Sequence, residues 1–389
     1  MSALTLPWGL YVHIPFCQAR CTYCDFNTIT GMGESDHVRY VEALVREWSR
    51  EEIPGGPMVS IFFGGGTPSL VHPQLLAQVI QAVGERVYVP PDAEITVETN
   101  PGTVTDAKLG ILREAGVNRL SIGAQARQNS HLVALNRIHD VAAIDDTVRM
   151  AREAGFTNIS LDAIYGLPGQ TLAEWQETVE GLLALRPQHL SLYALIVEPG
   201  TPLKQQLDRG AIRLPHDDVT AEMADWAAQR LTDGGLMPYE ISNYAIPGYE
   251  SRHNRLYWQL EPYLALGAGA HAYVEGRRWW NVRGVRRYME MVEQERDPTD
   301  SEEQLSREEE MREYLWLGLR QRRGVDRDEF RARFGHDPVL LFQAVLAALR
   351  DQDLLTVSPA AIQLTRRGWD VANVVARALV DAEPAELPS

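Results

Sequence analysis

The stretch "HIPFCQARCTYCDFN", His13 to Asn27, carries Cys17, Cys21 and Cys24, which are all the cysteines of the 389-residue chain. An odd, tightly spaced trio makes a poor disulfide framework, because one thiol is always left over. In a chain expected to be cytosolic, such spacing points to metal or redox chemistry. Three thiolates on one short loop can reach three corners of a cubic iron–sulfur cluster, which takes four cysteines when protein alone holds it. There is no fourth cysteine, so one iron is left open or bound by something else. That suits a small molecule that ligates the cluster. Zinc with His13 as fourth ligand is a second reading, and three structural thiols are a third.

Directly before the loop, "GLYVHIP" (9–15) reads as a short apolar strand. A beat of strands and helices follows. The strands are "MVSIFFGGGTPS", "EITVETNP", "RLSIGAQ", "NISLDAIYGLPGQ" and "HLSLYALIVEPG". Between them, "YVEALVREW" places Val41, Leu44, Val45 and Trp48 on one helical face, and "QLLAQVIQAV" does so with Leu75, Leu76, Val79 and Val83. Six strands with helical crossovers predict parallel pairing and an α/β fold, a sheet curled toward a partial barrel. Functional groups in such folds sit at the carboxyl ends of strands. Each unusual motif here lies at or just after such an end.

The beat stops near residue 200. The expected organisation is a barrel core over 1–205, a connector with a loop-rich aromatic stretch over 206–300, a helical domain over 301–381 and a disordered tail over 382–389. The hairpin and helices of the third part give it winged-helix-like features. A net charge of −16 argues against a nucleic-acid partner. No apolar run reaches membrane-spanning length, and the start lacks the charged region and cleavage site of a signal peptide.

"YVHIPFCQARCTYCDFN" resembles the cluster loop of the radical S-adenosylmethionine (SAM) superfamily, and within it the oxygen-independent coproporphyrinogen III oxidases and the heme chaperones (HemW). The resemblance runs on through "IFFGGGTPSL", "VETNPG", "NRLSIGAQ", "LNRIH", "LDAIYGLPGQT", "YEISNYAIPGYESRHNRLYW" and "GAGAHAY", so it covers nearly the whole chain. It implies a radical SAM partial (β/α)6 barrel followed by a smaller, mostly α domain. Its cofactors would be a [4Fe–4S] cluster on Cys17, Cys21 and Cys24, SAM on the open iron, and heme.

By the same resemblance, Gly64, Gly65, Gly66 and Thr67 would hold the amino-acid end of SAM, with Tyr11 and Tyr23 flanking it. Glu98, Gln125, Arg137 and Asp162 would complete the wall. The sequence departs from the pattern at Ala126-Arg127, where Ser-Phe is expected, and at Asn136, where Gly is expected. Oxidases carry a further cysteine where this chain has Phe26. "RHNRLYW" (252–258) matches the chaperones' motif, which makes His253 a candidate heme ligand, with His13, His139 and His271 as alternatives. The resemblance thus implies a cytoplasmic heme chaperone. Its partners would be heme, a heme-accepting protein, an electron donor and, through the acceptor, the membrane surface. An oxidase of coproporphyrinogen III, or a binding protein without radical chemistry, are the alternatives.

Overall fold

The computed structural model describes residues 6–385. Its first strand, β1 (Trp8–Ile14), is buried along its length apart from half-buried Tyr11. Such a strand needs cover on both faces, which helical crossovers supply. They alternate here as α1 (Glu34–Trp48), β2 (Met58–Gly65), α2 (Pro73–Gly84), β3 (Glu94–Thr99), α3 (Asp106–Glu114), β4 (Arg119–Gln125), α4 (Val141–Glu153), β5 (Asn158–Tyr165), α5 (Leu172–Ala184) and β6 (His189–Ala194). Neighbouring strands from β1 to β6 pair in parallel. Thr105, Asp140 and Thr171 each accept an N–H from the first turn of α3, α4 and α5, which sets where those helices begin. Val41, Leu44 and Trp48 of α1 and Leu75, Leu76, Val79 and Val83 of α2 are buried in one core with the strands.

The stretch from Tyr239 to Trp280, read from sequence as loop-rich, largely completes this sheet. After α6 (Asp217–Asp233), β7 (Met237–Pro238) pairs antiparallel with β8 (Asn243–Ala245), which pairs antiparallel with β6. α7 (Arg252–Trp258) follows, and then β9 (Tyr263–Leu266) pairs in parallel with the open side of β1, Gly9 opposite Tyr263 and Val12 opposite Leu266. β10 (His271–Val274), β11 (Arg277–Asn281) and β12 (Thr299–Gln304) continue outward as an antiparallel meander. Among the described residues the sheet has 12 strands, with β12 and β7 at its two ends. The physical reason is the first strand: buried backbone N–H and C=O groups must be paired, and β9 pairs those on the side of β1 away from β2.

A second core follows α8 (Val285–Glu293) and begins with α9 (Arg307–Gly318). Leu315, Phe330, Phe334, Ile362 and Leu379 pack there around a three-stranded sheet of β13 (Val325–Asp326), β14 (Leu355–Val357) and β15 (Ala361–Leu364), in the order β13-β15-β14. Helices surround this small wing. Of the expected tail, 386–389 lie outside the described residues; Ala385 N–H donates to the Leu341 carbonyl at 2.7 Å. No helix among the described residues is long and apolar enough to cross a membrane.

Candidate functional site

Parallel strands give the barrel a mouth at their carboxyl ends and a floor at the other. The cysteine loop leaves the top of β1 and crosses the mouth. Its three thiols are free and half-buried. The Thr67 hydroxyl donates to Cys17 Sγ at 3.6 Å, and Arg137 Nη1 to Cys21 Sγ at 3.5 Å. Burial pushes the Cys24 thiol up to about 11 and raises that of Cys17 as well. Thiolate ligation there therefore releases protons. Donors aimed at cysteine sulfurs are what an iron–sulfur cluster uses to tune its potential.

The donor set fits such a cluster better than zinc. Among the described residues, no three His, Cys, Asp or Glu side chains gather around a single-ion site. His13 does not stand ready as a fourth ligand: its Nε2 bonds the Asn27 carbonyl at 2.8 Å and its Nδ1 the Tyr11 hydroxyl at 3.0 Å.

The loop lies on the end of a short helix, Asn129–Ala134. That helix stops in a Schellman turn, with Arg137 N–H bonded to the Leu132 carbonyl and Asn136 N–H to that of Val133. Asn136 sits at φ +57°, a left-handed conformation that glycine or asparagine adopts most readily. This is why asparagine can stand where the family pattern has glycine. Its side chain adds something glycine lacks: Nδ2 donates to the Arg20 carbonyl at 2.8 Å. With Thr22 N–H on the Leu135 carbonyl and Arg137 on Cys21, three successive loop residues are held by three successive residues of the turn. The other departure faces elsewhere, since Arg127 pairs with Asp145 and lies against Gly181.

In the glycine motif the backbone amides are committed within the chain. Gly65 N–H donates to Glu98 Oε2 at 3.0 Å, Gly66 N–H to the Ile14 carbonyl and Thr67 N–H to the Phe16 carbonyl, both at 2.8 Å. A Cβ on Gly65 would meet the His13 ring at 2.5 Å, and one on Gly66 the Phe16 carbonyl at 2.7 Å. These glycines let β2 close on the segment that launches the cysteine loop. With these three amides committed, carbonyl oxygens are what the turn can offer an incoming group, and an acceptor suits an ammonium.

Below the loop lies a cavity of about 220 Å³, lined by Tyr11, Glu98, Asp162 and His253 with Arg119 and Tyr193 among others. Burial, reinforced by the nearby Asp162 charge, raises Glu98 to about 7. Burial also raises Asp162, against the opposing pull of Ser191, Arg119, Ser121 and Ser160. A cationic ligand would return both to carboxylates. Tyr23 packs against the core beside Cys21, Cys24 and Arg137. Gln125 ends β4 at a register shift with φ +66°, an uncommon conformation for a residue with a side chain. Asn100, within the quoted "VETNPG", was not singled out from sequence. It joins the wall by donating to Thr67 Oγ1 at 2.8 Å and accepting from Arg137 at 2.6 Å.

His253 lies on the floor, where it lines the same cavity, and is 1% exposed. Its Nδ1 bonds the Ser60 hydroxyl and its Nε2 the Tyr257 hydroxyl, both at 2.8 Å. Burial and then the Arg119 charge lower it to about 3. Helix α7 plugs the barrel from beneath, its first N–H groups and Ser251 held by Glu94 at the foot of β3. Sequence placed the motif correctly as polar and aromatic but could not tell a plug from a ligand.

Two family models match the chain, the Radical SAM superfamily over residues 11–182 and the HemN C-terminal domain over 305–371. Fold and cysteine loop together therefore define a radical SAM protein. The heme chaperone HemW of Lactococcus lactis is 36% identical over 375 residues, 96% of this chain and 97% of that one. The heme chaperone HemW of Bacillus subtilis is 37% identical over 94% and 97% of the two chains. The chain belongs to the heme chaperone HemW family. Among solved structures, coproporphyrinogen III oxidase (HemN) of Escherichia coli has the same fold, with a TM-score of 0.84 over 97% of this chain and 90% of that one at 24% identity.

Proposed function

We propose that this protein is a heme chaperone that binds heme and a SAM-ligated [4Fe–4S] cluster and hands heme to an acceptor protein. The observation that carries this reading is the cysteine loop itself: three thiols at the barrel mouth, followed by Asp25-Phe26-Asn27 with Phe26 63% exposed, in a chain of the HemW family. No thiol stands where oxidases carry their further cysteine. Cys17, Cys21 and Cys24 hold the cluster. Arg137 and Thr67 donate to its sulfur ligands. The acceptor-lined Gly64–Thr67 turn takes the ammonium end of SAM, while Tyr11, Glu98, Gln125 and Asp162 line the space beyond. When bound and reduced, the cluster supplies the electron that cleaves a carbon–sulfur bond of SAM. The protein's part is to orient SAM and exclude water. The acceptor, the electron donor, any membrane contact through the acceptor and a cytoplasmic setting belong to this proposal.

The test is a pair of assays on anaerobically reconstituted protein. Heme should bind, and coproporphyrinogen III should not be decarboxylated. Turnover of coproporphyrinogen coupled to SAM cleavage overturns the chaperone reading.

A further inference from the structure

His253 is buried in the floor with both ring nitrogens bonded within the chain. His13 has both nitrogens bonded. His139 is 8% exposed, and burial, with the Arg137 charge, lowers it to about 4. His271 alone of the four is exposed, and no hydrogen bond among the described residues occupies its ring. It begins β10, directly opposite Trp280 of β11, and the two rings stack at 5.3 Å and 21°. Burial and then the charges of Arg278 and Arg283, opposed by Glu303, lower the imidazole's pKa, which favours the neutral form that binds metal.

The charges nearby are unusual for this chain. Arg278 is spent on Glu303 and Glu313, at 2.6 and 2.7 Å. Arg283, Arg286 and Arg287, at the start of α8, are exposed, and their side chains make no ion pair or hydrogen bond among the described residues. Three exposed arginines within five residues, on a protein of net charge −16, concentrate positive charge locally. The patch is also joined to the cysteine loop, because Asn27 Nδ2 donates to the carbonyls of Ala268 and Arg283, at 2.8 and 2.9 Å.

We propose that heme docks on this rim, with His271 as axial ligand, Trp280 stacked on that imidazole and so edge-on to the porphyrin, and the arginines of 283–287 at the propionates. An imidazole, a flat aromatic and a cluster of cations are the three features a planar, dianionic metalloporphyrin requires. This site rests on the heme-chaperone reading and adds its location. Because the rim meets the loop through Asn27, heme binding and the cluster site share a structural element.

The test is a titration of hemin into His271→Ala, Arg283→Ala and His253→Phe proteins, read by the Soret band and by resonance Raman markers of axial ligation. His271→Ala should lose the histidine-ligation signature and weaken hemin by about tenfold. Arg283→Ala should weaken hemin several-fold with the ligation signature retained. Metal-free protoporphyrin IX, which needs no axial ligand, should bind the His271→Ala and wild-type proteins alike. Iron and sulfide content should be unchanged in all three. If wild type binds no hemin, the chaperone reading itself fails. If wild type binds and His271→Ala gives the same spectrum and affinity, this rim is not the site. If only His253→Phe loses heme, the floor opens to it and the proposal is overturned.

Discussion

The two ends of the barrel are built from the same six strands and behave as opposites. At the floor, α7 closes the opening, and His253 finds both partners within the chain. At the mouth, the thiols are half-buried, those of Cys17 and Cys24 are raised in pKa, and Gln125 and Asn136 hold left-handed backbone angles. Strain and unsatisfied chemistry are tolerated where a ligand is to be received, and surrounding structure must over-determine them. The floor carries the stability and the mouth carries the chemistry.

The largest expected effect lies at the mouth. Cys17→Ala, Cys21→Ala or Cys24→Ala should each bring iron and sulfide to background in anaerobically reconstituted protein, with far-ultraviolet circular dichroism unchanged. Next comes the floor. Glu94→Ala removes the carboxylate that holds the start of α7 and that lies 4.0 Å from buried Arg119. Urea denaturation should show a loss of about 3 kcal/mol, as for a buried ion left alone. Cluster content per folded molecule should not change. A loss under about 1 kcal/mol would mean the floor is not where stability resides.

A smaller effect separates holding the loop from holding the fold. Asn136→Gly keeps the left-handed turn and removes the amide on Arg20. The cluster should be lost to a chelator about fivefold faster, the equivalent of one hydrogen bond, with the unfolding midpoint unchanged. Equal rates of loss would show that the turn alone positions the loop.

The finest distinction concerns Glu47, buried behind the mouth and accepting from Tyr288, Asn281 and the Gly267 amide. Burial outweighs these donors and pushes it up to about 8. A carboxyl raised this way contributes stability that is fully present below its ordinary range near 4.5 and is lost as pH rises through about 8. Melting temperatures from pH 5 to 9 should fall more steeply for wild type than for Glu47→Gln. Parallel curves would remove Glu47 from the account.

The strand-and-helix beat up to residue 194 was legible because each strand is a continuous apolar run and each helix shows one apolar face. β9 was not: four residues, "YLAL", carry no period, and only the need of β1 for a second neighbour creates the strand. At the site, the cysteines announced themselves by exclusive clustering. Asn27 and Asn100 stood inside quoted motifs and were passed over, since an asparagine's role depends on which distant carbonyl it meets. His253 is ambiguous in the sequence for a related reason. A histidine beside Tyr257 and Trp258 has the same spelling whether it faces heme or fills a barrel floor.

The pairing of β1 with β9 also sets a clock. Asn27 and its anchor at Ala268 are 241 residues apart. At synthesis rates of roughly 5–20 residues per second, the three thiols leave the ribosome roughly 12–48 s before the segment that pins their loop. During that interval the loop has neither its lateral strand nor its tether. Iron and sulfide delivery to this site therefore belongs after translation of the barrel, onto a chain whose first strand has been waiting for its last partner.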